Sequence, residues 1–299
     1  GVAVGARAAR AILAAREDDG SDTPLFDFDY PQGTAPGQWR FTPDRPLAFA
    51  PGWAQVEPFA LRSGGAGFHV RPPYPLRSRA YAKDVNEVKR LGGDGVSTPS
   101  ARTPDQTQAA LFWLESSPLQ WNRIARTTAA NRGLDPWRSA RLLAYLDMAL
   151  ADGYVASWSV KYTNPFWRPV TAIREADTDG NPRTTADPTW TPLAVTPPIP
   201  DHDSAHAVQG GAASTVMARV FGTDRVAFRT CSLTLPDGQQ CDDASPTTRG
   251  YRSLSQAARE NALSRIWVGY HFRNASITGL HHGQQVARLV MAGRLTPVR

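Results

Sequence analysis

Over the second half of the chain, apolar positions recur at three- and four-residue spacing, which predicts helices at about 104–116, 118–131, 135–163, 204–221, 249–270 and 278–293. Two of these have clear starts: Thr103-Pro104 and Asp135-Pro136 each set an N-cap residue before proline at the first helical position. Alternation at period two is confined to short pieces around Phe228 to Leu235. At the other end, residues 2–16 (VAVGARAARAILAAR) read as an amphipathic helix. From Glu17 to Ser100, clusters such as PQGTAPGQ, TPDRP, APGW and RPPYPLRS leave room for little more than one helix, near Ala80 to Gly92. A free linker of that length is improbable. The segment is expected to lie over a helical body, held by Phe26, Phe28, Tyr30, Trp39, Phe41, Trp53 and Phe59. The predicted fold is mainly α: a helical bundle with a long Pro/Gly-rich irregular segment. It divides into an N-terminal helix and wrap over 1–103 and a bundle over 104–299, packed as one unit.

Composition narrows the class. In 299 residues, 41% are apolar and 20% charged, which is ordinary for a globular protein and argues against disorder, collagen or coiled coil. Every apolar stretch is interrupted before the ~18–20 residues that a membrane helix needs. Residue 1 is Gly, so the chain is expected to be a processed or excised product. The net charge of +6 favours anions, yet basic residues do not cluster with aromatics, so nucleic acid is not an expected partner. Only Lys83, Lys89 and Lys161 are lysines, which gives a lysine within a motif more weight. Cys231 and Cys241 flank a turn-rich segment (CSLTLPDGQQC). Their pairing would close a loop and indicate an oxidising compartment; two free thiols are the alternative.

Five of the six histidines fall between 202 and 282, and three segments around them carry chemistry. In the first, Trp158-Ser-Val-Lys161 leads to Arg168-Pro169. Lys161 and Arg168 share a face only if the helix continues, and Asn164-Pro165 should end it. In the second, prolines 197, 198 and 200 forbid a helix before Asp201. Asp201 or Asp203 would then cap one that opens at Ser204-Ala205-His206, with unpaired amides ready for an anion. In the third, Arg265 and His271 lie six apart, about 120° around a straight helix, so they converge if that helix ends near Gly269 or if the long arginine reaches around. Adjacent His281 and His282 point to different faces and are expected at the surface or on a pocket rim.

In chain order, Lys161-x6-Arg168-Pro169, Ser204-Ala-His206 and Ser264-Arg265-x5-His271 resemble the three motifs shared by vanadium-dependent haloperoxidases and type 2 phosphatidic acid phosphatases, most closely the secreted bacterial haloperoxidase-like branch. The resemblance implies a helical bundle with a tetrahedral oxyanion held by Lys161, Arg168, Arg265, Ser204 and the amide of Ala205. It makes His271 either the ligand to vanadium or the nucleophile toward phosphorus, His206 the acid/base partner and Trp158 an aromatic wall. The implied cofactor is vanadate, with phosphate as a mimic. The implied reaction oxidises halide with hydrogen peroxide bound to the vanadate, activated by Lys161, to hypohalous acid. Halide, peroxide and a small organic acceptor are then the partners, with pairing into a homodimer and an extracellular or periplasmic location.

Three positions depart from the family patterns. Ala205 stands where the haloperoxidase loop has Gly, which keeps the amide but not glycine's backbone freedom. Ala275 stands where the phosphatase pattern has Asp, so orientation of His271 falls to Asn274, Ser276 or a residue far upstream. Ile199 replaces a Phe or His and makes that side of the pocket apolar. Competing functions are an acid phosphatase using the same pocket, a non-redox homologue acting on a small molecule, and a purely structural helical protein.

Overall fold

Helix α7 (Ala205–Phe221) is buried on nearly every side, as its sequence AHAVQGGAASTVMARVF requires of a helix without a polar face. A computed structural model describes residues 1–61 and 70–295; His69 lies outside these. Around α7 stand α5 (Pro136–Thr163), α8 (Leu254–Trp267) and α9 (Arg273–Gly293). The shorter α3 (Pro104–Phe112) and α4 (Ser117–Asn131) complete the main core, in which Trp113, Trp121, Leu146, Met217 and Val286 are fully enclosed. A second cluster joins α2 (Arg79–Leu91) to α6 (Pro169–Arg174) through Tyr81, Val85, Trp167 and Ile173.

Local signals set several boundaries. Thr103 and Gln106 form a reciprocal capping box on α3, and the Asp135 side chain accepts the amide of Arg138 at the start of α5. The predicted helix 249–270 is corrected at both ends. Arg249–Tyr251 forms strand β4, antiparallel to β3 (Phe228–Thr230), and the rings of Phe228 and Tyr251 meet at 5.3 Å. Ser253 then caps α8 by accepting the Gln256 amide. The predicted 278–293 begins five residues earlier, because the Asp84 carboxylate on α2 accepts the amide of Asn274 and so caps α9 from another element. Helix α6 was not anticipated.

In the Pro-rich segment, β1 (Phe26–Asp27) pairs with β2 (Ala48–Phe49), and a 3-10 helix (Pro51–Gln55) lies against α5. Buried Asp152 on α5 collects the amides of Phe59, Ala60 and Leu61 at 2.6–3.1 Å. Trp39 is enclosed and meets Tyr30 and Tyr162 edge-on. Phe26 and Phe28 do not hold the segment: they are 55% and 63% exposed. Helix α1 (Val2–Ala15), expected to pack on the body, has no buried residue. Cys231 and Cys241 are joined in a disulfide, with Cα atoms 5.1 Å apart. Among the described residues, no helix is long and apolar enough to cross a membrane.

The contact of α7 with α9 depends on facing glycines. A Cβ added at Gly283 would land on the Val208 carbonyl, and one at Gly211 on the Leu280 carbonyl, so the backbones approach closer than any side chain permits. Gly283→Ala is expected to lower unfolding free energy by ~1–3 kcal/mol in urea denaturation, as overpacking does. Gly293→Ala on the same helix, where nothing lies within 4 Å of the added atom, should leave it unchanged or slightly raised.

Candidate active site

Lys161 and Arg168 reach the site from two different helices. Helix α5 ends at Thr163, with Asn164 as its C-cap, and Arg168 is the N-cap of α6. Lys161, in the last turn of α5, is fully buried and donates from Nζ to the carbonyls of Pro200 (2.7 Å) and Asp201 (3.0 Å). Arg168, also fully buried, donates from Nε to the Ile199 carbonyl (2.6 Å) and from Nη1 to the Tyr270 carbonyl (2.9 Å).

Arg265 lies in the last turn of α8, which closes at Trp267 before Gly269 takes φ +86°, a conformation that favours glycine. That early end turns the chain back, so that the His271 amide donates to the Arg265 carbonyl (3.1 Å). The Arg265 guanidinium donates from Nη1 to the Trp113 carbonyl (2.8 Å) and lies 5.0 Å from the centre of the Tyr270 ring. Arg168 Nη1 also donates to His271 Nε2 (2.9 Å), while His271 Nδ1–H donates to Asp201 Oδ1 (2.9 Å).

Ser204 is the N-cap of α7, and Ala205 and His206 occupy its first turn. The capping role expected of Asp201 or Asp203 is not what either does. Asp201 orients His271, whereas Asp203 accepts from Ser157 Oγ (2.7 Å) and from His282 Nδ1–H (2.7 Å). His282 is therefore buried and hydrogen-bonded rather than at the surface, while His281 is exposed as expected. Of the candidates to orient His271, neither Asn274 nor Ser276 touches it. Asn274 bonds the Pro72 carbonyl and faces Asp84, and the upstream residue is Asp201. His206 Nε2–H points at the Glu115 carbonyl, 3.4 Å away.

Arg168, Arg265, His206 and His271 share the wall of one cavity of about 380 Å³ with Ala205, Trp158 and Ile199. Lys161 and Ser204 do not line it; Ser204 adjoins Ala205, and Lys161 lies close enough to Arg168 for the two charges to repel. None of the three cations forms an ion pair among the described residues. Arg168 Nη2, Arg265 Nε and Ser204 Oγ are buried and find no hydrogen-bond partner there. Donors in such a state fit a tetrahedral oxyanion, which brings several acceptor oxygens and the opposite charge. No three His, Cys, Asp or Glu side chains cluster as ligands for a metal cation among the described residues.

Burial sets the protonation states. It pushes Lys161 down to about 7, helped by Arg168 and opposed by Asp203 and Asp201. It pushes Arg168 and Arg265 down to about 10. Burial first, then Arg168, Lys161 and Arg265, hold His271 well below its ordinary value, which keeps the ring neutral with a lone pair on Nε2. Burial and then Arg265 do the same to His206. Asp201 is pushed up to about 7 by burial, with Arg168 and Lys161 pulling the other way.

In the unfolded chain Lys161 titrates at its ordinary 10.5, and in the folded protein near 7. Between those values the unfolded chain binds the extra proton, so stability rises with pH above 7 and is lost as pH falls back through it. Urea midpoints of the oxyanion-free protein should therefore rise from about pH 7 to about pH 9, and Lys161→Met should remove most of that slope. A wild-type midpoint that falls across the window would contradict the depressed lysine.

Comparisons with known proteins identify the family. Residues 141–296 match the family model described as the VCPO second helical-bundle domain, just over half of the chain. Vanadium chloroperoxidase of Curvularia inaequalis is 28% identical over 264 residues, covering 69% of this chain and 42% of its own, so the chain spans less than half of that relative's length. A crystal structure of a bacterial vanadium-dependent iodoperoxidase superposes with a TM-score of 0.77 at 28% identity, covering 97% of this chain and 68% of that one. A holo-type bacterial vanadium-dependent chloroperoxidase shares the fold at a TM-score of 0.73 and 18% identity, covering 97% and 71%. The chain belongs to the vanadium haloperoxidase superfamily and carries its VCPO second helical-bundle domain.

Proposed function

We propose that the chain binds vanadate and catalyses halide oxidation by hydrogen peroxide, X⁻ + H₂O₂ + H⁺ → HOX + H₂O. The observation that carries this reading is the group of three buried basic side chains without ion pairs among the described residues, two of which share a cavity wall with two neutral imidazoles. When bound, vanadate supplies a Lewis-acidic centre that polarises the O–O bond of peroxide.

The chain's own residues do the rest. Arg168 Nη2, Arg265 Nε and Ser204 Oγ are the donors left to hold oxyanion oxygens, and the amide of Ala205 opens the positive end of α7 beside them. When protonated, Lys161 spends two of its three N–H groups on the carbonyls of Pro200 and Asp201, which fixes its position behind Arg168 and leaves one N–H for an oxyanion oxygen. His271 would hold vanadium through Nε2, in exchange for the hydrogen bond that this atom accepts from Arg168 Nη1, with Asp201 fixing the tautomer and the ring plane. His206 donates from Nε2 to Glu115 and keeps a lone pair on Nδ1, with which it takes a proton from peroxide and returns it to the departing water. Trp158 and Ile199 exclude water from one side.

One observation favours a second reading, phosphate-ester hydrolysis. Asp201 supplies from upstream the carboxylate partner that Ala275 cannot, so Nε2 of His271 is also oriented as a nucleophile toward phosphorus. For location, the Cys231–Cys241 disulfide supports an oxidising compartment outside the cytoplasm.

Protein stripped of oxyanions and reloaded with vanadate should oxidise bromide in the presence of peroxide, and unloaded protein should not. His271→Ala is expected to lose bound vanadium, measured by elemental analysis. His206→Ala should retain it while kcat falls by ~10²–10⁴, the usual contribution of a general acid–base. Unchanged vanadium content in His271→Ala would reject that ligand assignment. Steady p-nitrophenyl phosphate cleavage without peroxide-dependent oxidation would establish the phosphatase reading instead.

A further inference from the structure

At the end of the bundle away from the active site, four arginines surround one cavity of about 580 Å³. Arg132 is the C-cap of α4, Arg138 and Arg141 stand on the first two turns of α5, and Arg219 lies in the last turn of α7. At 1.5 Å per residue, Arg138 is ~35 Å along α5 from Lys161, so this cavity and the oxyanion site are separate. No Asp or Glu lines the cavity among the described residues. Arg138 has one carboxylate neighbour, Asp135, at 3.6 Å. With the two side chains 75% and 55% exposed, that pair contributes little. The other three arginines form no ion pair among the described residues.

Two of the guanidinium groups are held in place. Arg132 lies 5.2 Å from the centre of the Phe221 ring and Arg141 5.4 Å from that of Tyr145. Arg141 also donates from Nη2 to the Tyr145 hydroxyl (3.3 Å) and the Leu295 carbonyl (3.0 Å), which leaves the donors on Nε and Nη1 for a ligand. Helix electrostatics accounts for only half of the cluster. Arg132 and Arg219 sit at helix C-termini, where the dipole favours cations. Arg138 sits in the first turn of α5, where the dipole disfavours a cation, and Arg141 one turn further gains nothing from it. Repulsion among four like charges adds to the cost, and a bound anion removes both terms.

The arrangement also selects the anion. A guanidinium grips a phosphate through two parallel N–H···O bonds. Four such groups, drawn from three helices around about 580 Å³, are spread more widely than one tetrahedral ion can reach. A chain of two or more phosphates brings both the charge and the span. The apolar side chains between the arginines, Val220 and Met291 among them, add no acceptor that would repel it.

We propose that this cavity binds a compound carrying two or more linked or neighbouring phosphate groups, free in solution or as a lipid headgroup, independently of the reaction proposed above. Its occupant joins the ends of α4 and α7 to the start of α5, so binding stabilises the fold.

The probe is tripolyphosphate, titrated by calorimetry into the full chain and into Arg265→Met, in which the oxyanion site has lost a donor. A saturable site should persist in Arg265→Met, and its occupation should raise the thermal midpoint. Combining Arg138→Ala with Arg219→Ala keeps both ring-stacked arginines, so the variant should fold with wild-type circular dichroism while binding at least roughly tenfold more weakly. Orthophosphate should bind more weakly than tripolyphosphate. Co-sedimentation with cardiolipin vesicles that the double variant loses assigns the site to a lipid headgroup; tripolyphosphate binding without it assigns a free phosphate compound. Binding of neither probe, affinity unchanged in the folded double variant, or orthophosphate bound as tightly as tripolyphosphate overturns the proposal.

Discussion

Arg168 and Arg265 are charged and Lys161 is charged below about pH 7, all at no more than 1% exposure, and among the described residues no carboxylate pairs with them directly. Leaving charge in a low-dielectric interior is among the costliest things a fold can do. What offsets it here is a set of carbonyl dipoles, from Pro200, Asp201, Ile199, Tyr270 and Trp113, each aimed at one cation. Four of these five carbonyls lie in non-helical chain between 199 and 201 or after α8. Helical carbonyls are largely spent within the helix, so the irregular turns next to the bundle are what make such a cluster of cations tolerable.

The nearest acids are kept from neutralising the cations by being committed to imidazoles. Asp201 is tied to His271, and Asp203 to His282 and Ser157. The positive field therefore survives, and burial first, then that field, keeps His271 and His206 uncharged by making a further proton unfavourable. One arrangement thus produces an anion-attracting pocket and two neutral bases. These are the properties that both oxyanion binding and proton transfer require.

The bundle supplies the rigidity for this chemistry. Helix α5 delivers Lys161, α7 delivers Ser204 through His206, and α8 ends beside Arg265; glycines 211 and 283 lock α7 and α9 at backbone contact. The Pro-rich segment adds a different function. Through Leu25, Phe49 and Trp53 it closes the apolar side of the cavity, so residues without motif or periodicity shape what can approach the site.

The sequence by itself determined the helical body, because periodicity and capping are local: Thr103 on α3 and Asp135 on α5 act within one turn of themselves. The ordered spacing of Lys161, Arg168, Ser204, His206, Arg265 and His271 also made the candidate site legible, since each motif is a short stretch at one helix end. Tertiary structure decided the rest. Asp84 starts α9 from another helix, Asp201 rather than Asn274 or Ser276 orients His271, and His282 turns inward to Asp203. These are contacts between residues from 70 to 190 positions apart, and no local rule registers a partner that only folding brings within hydrogen-bond distance.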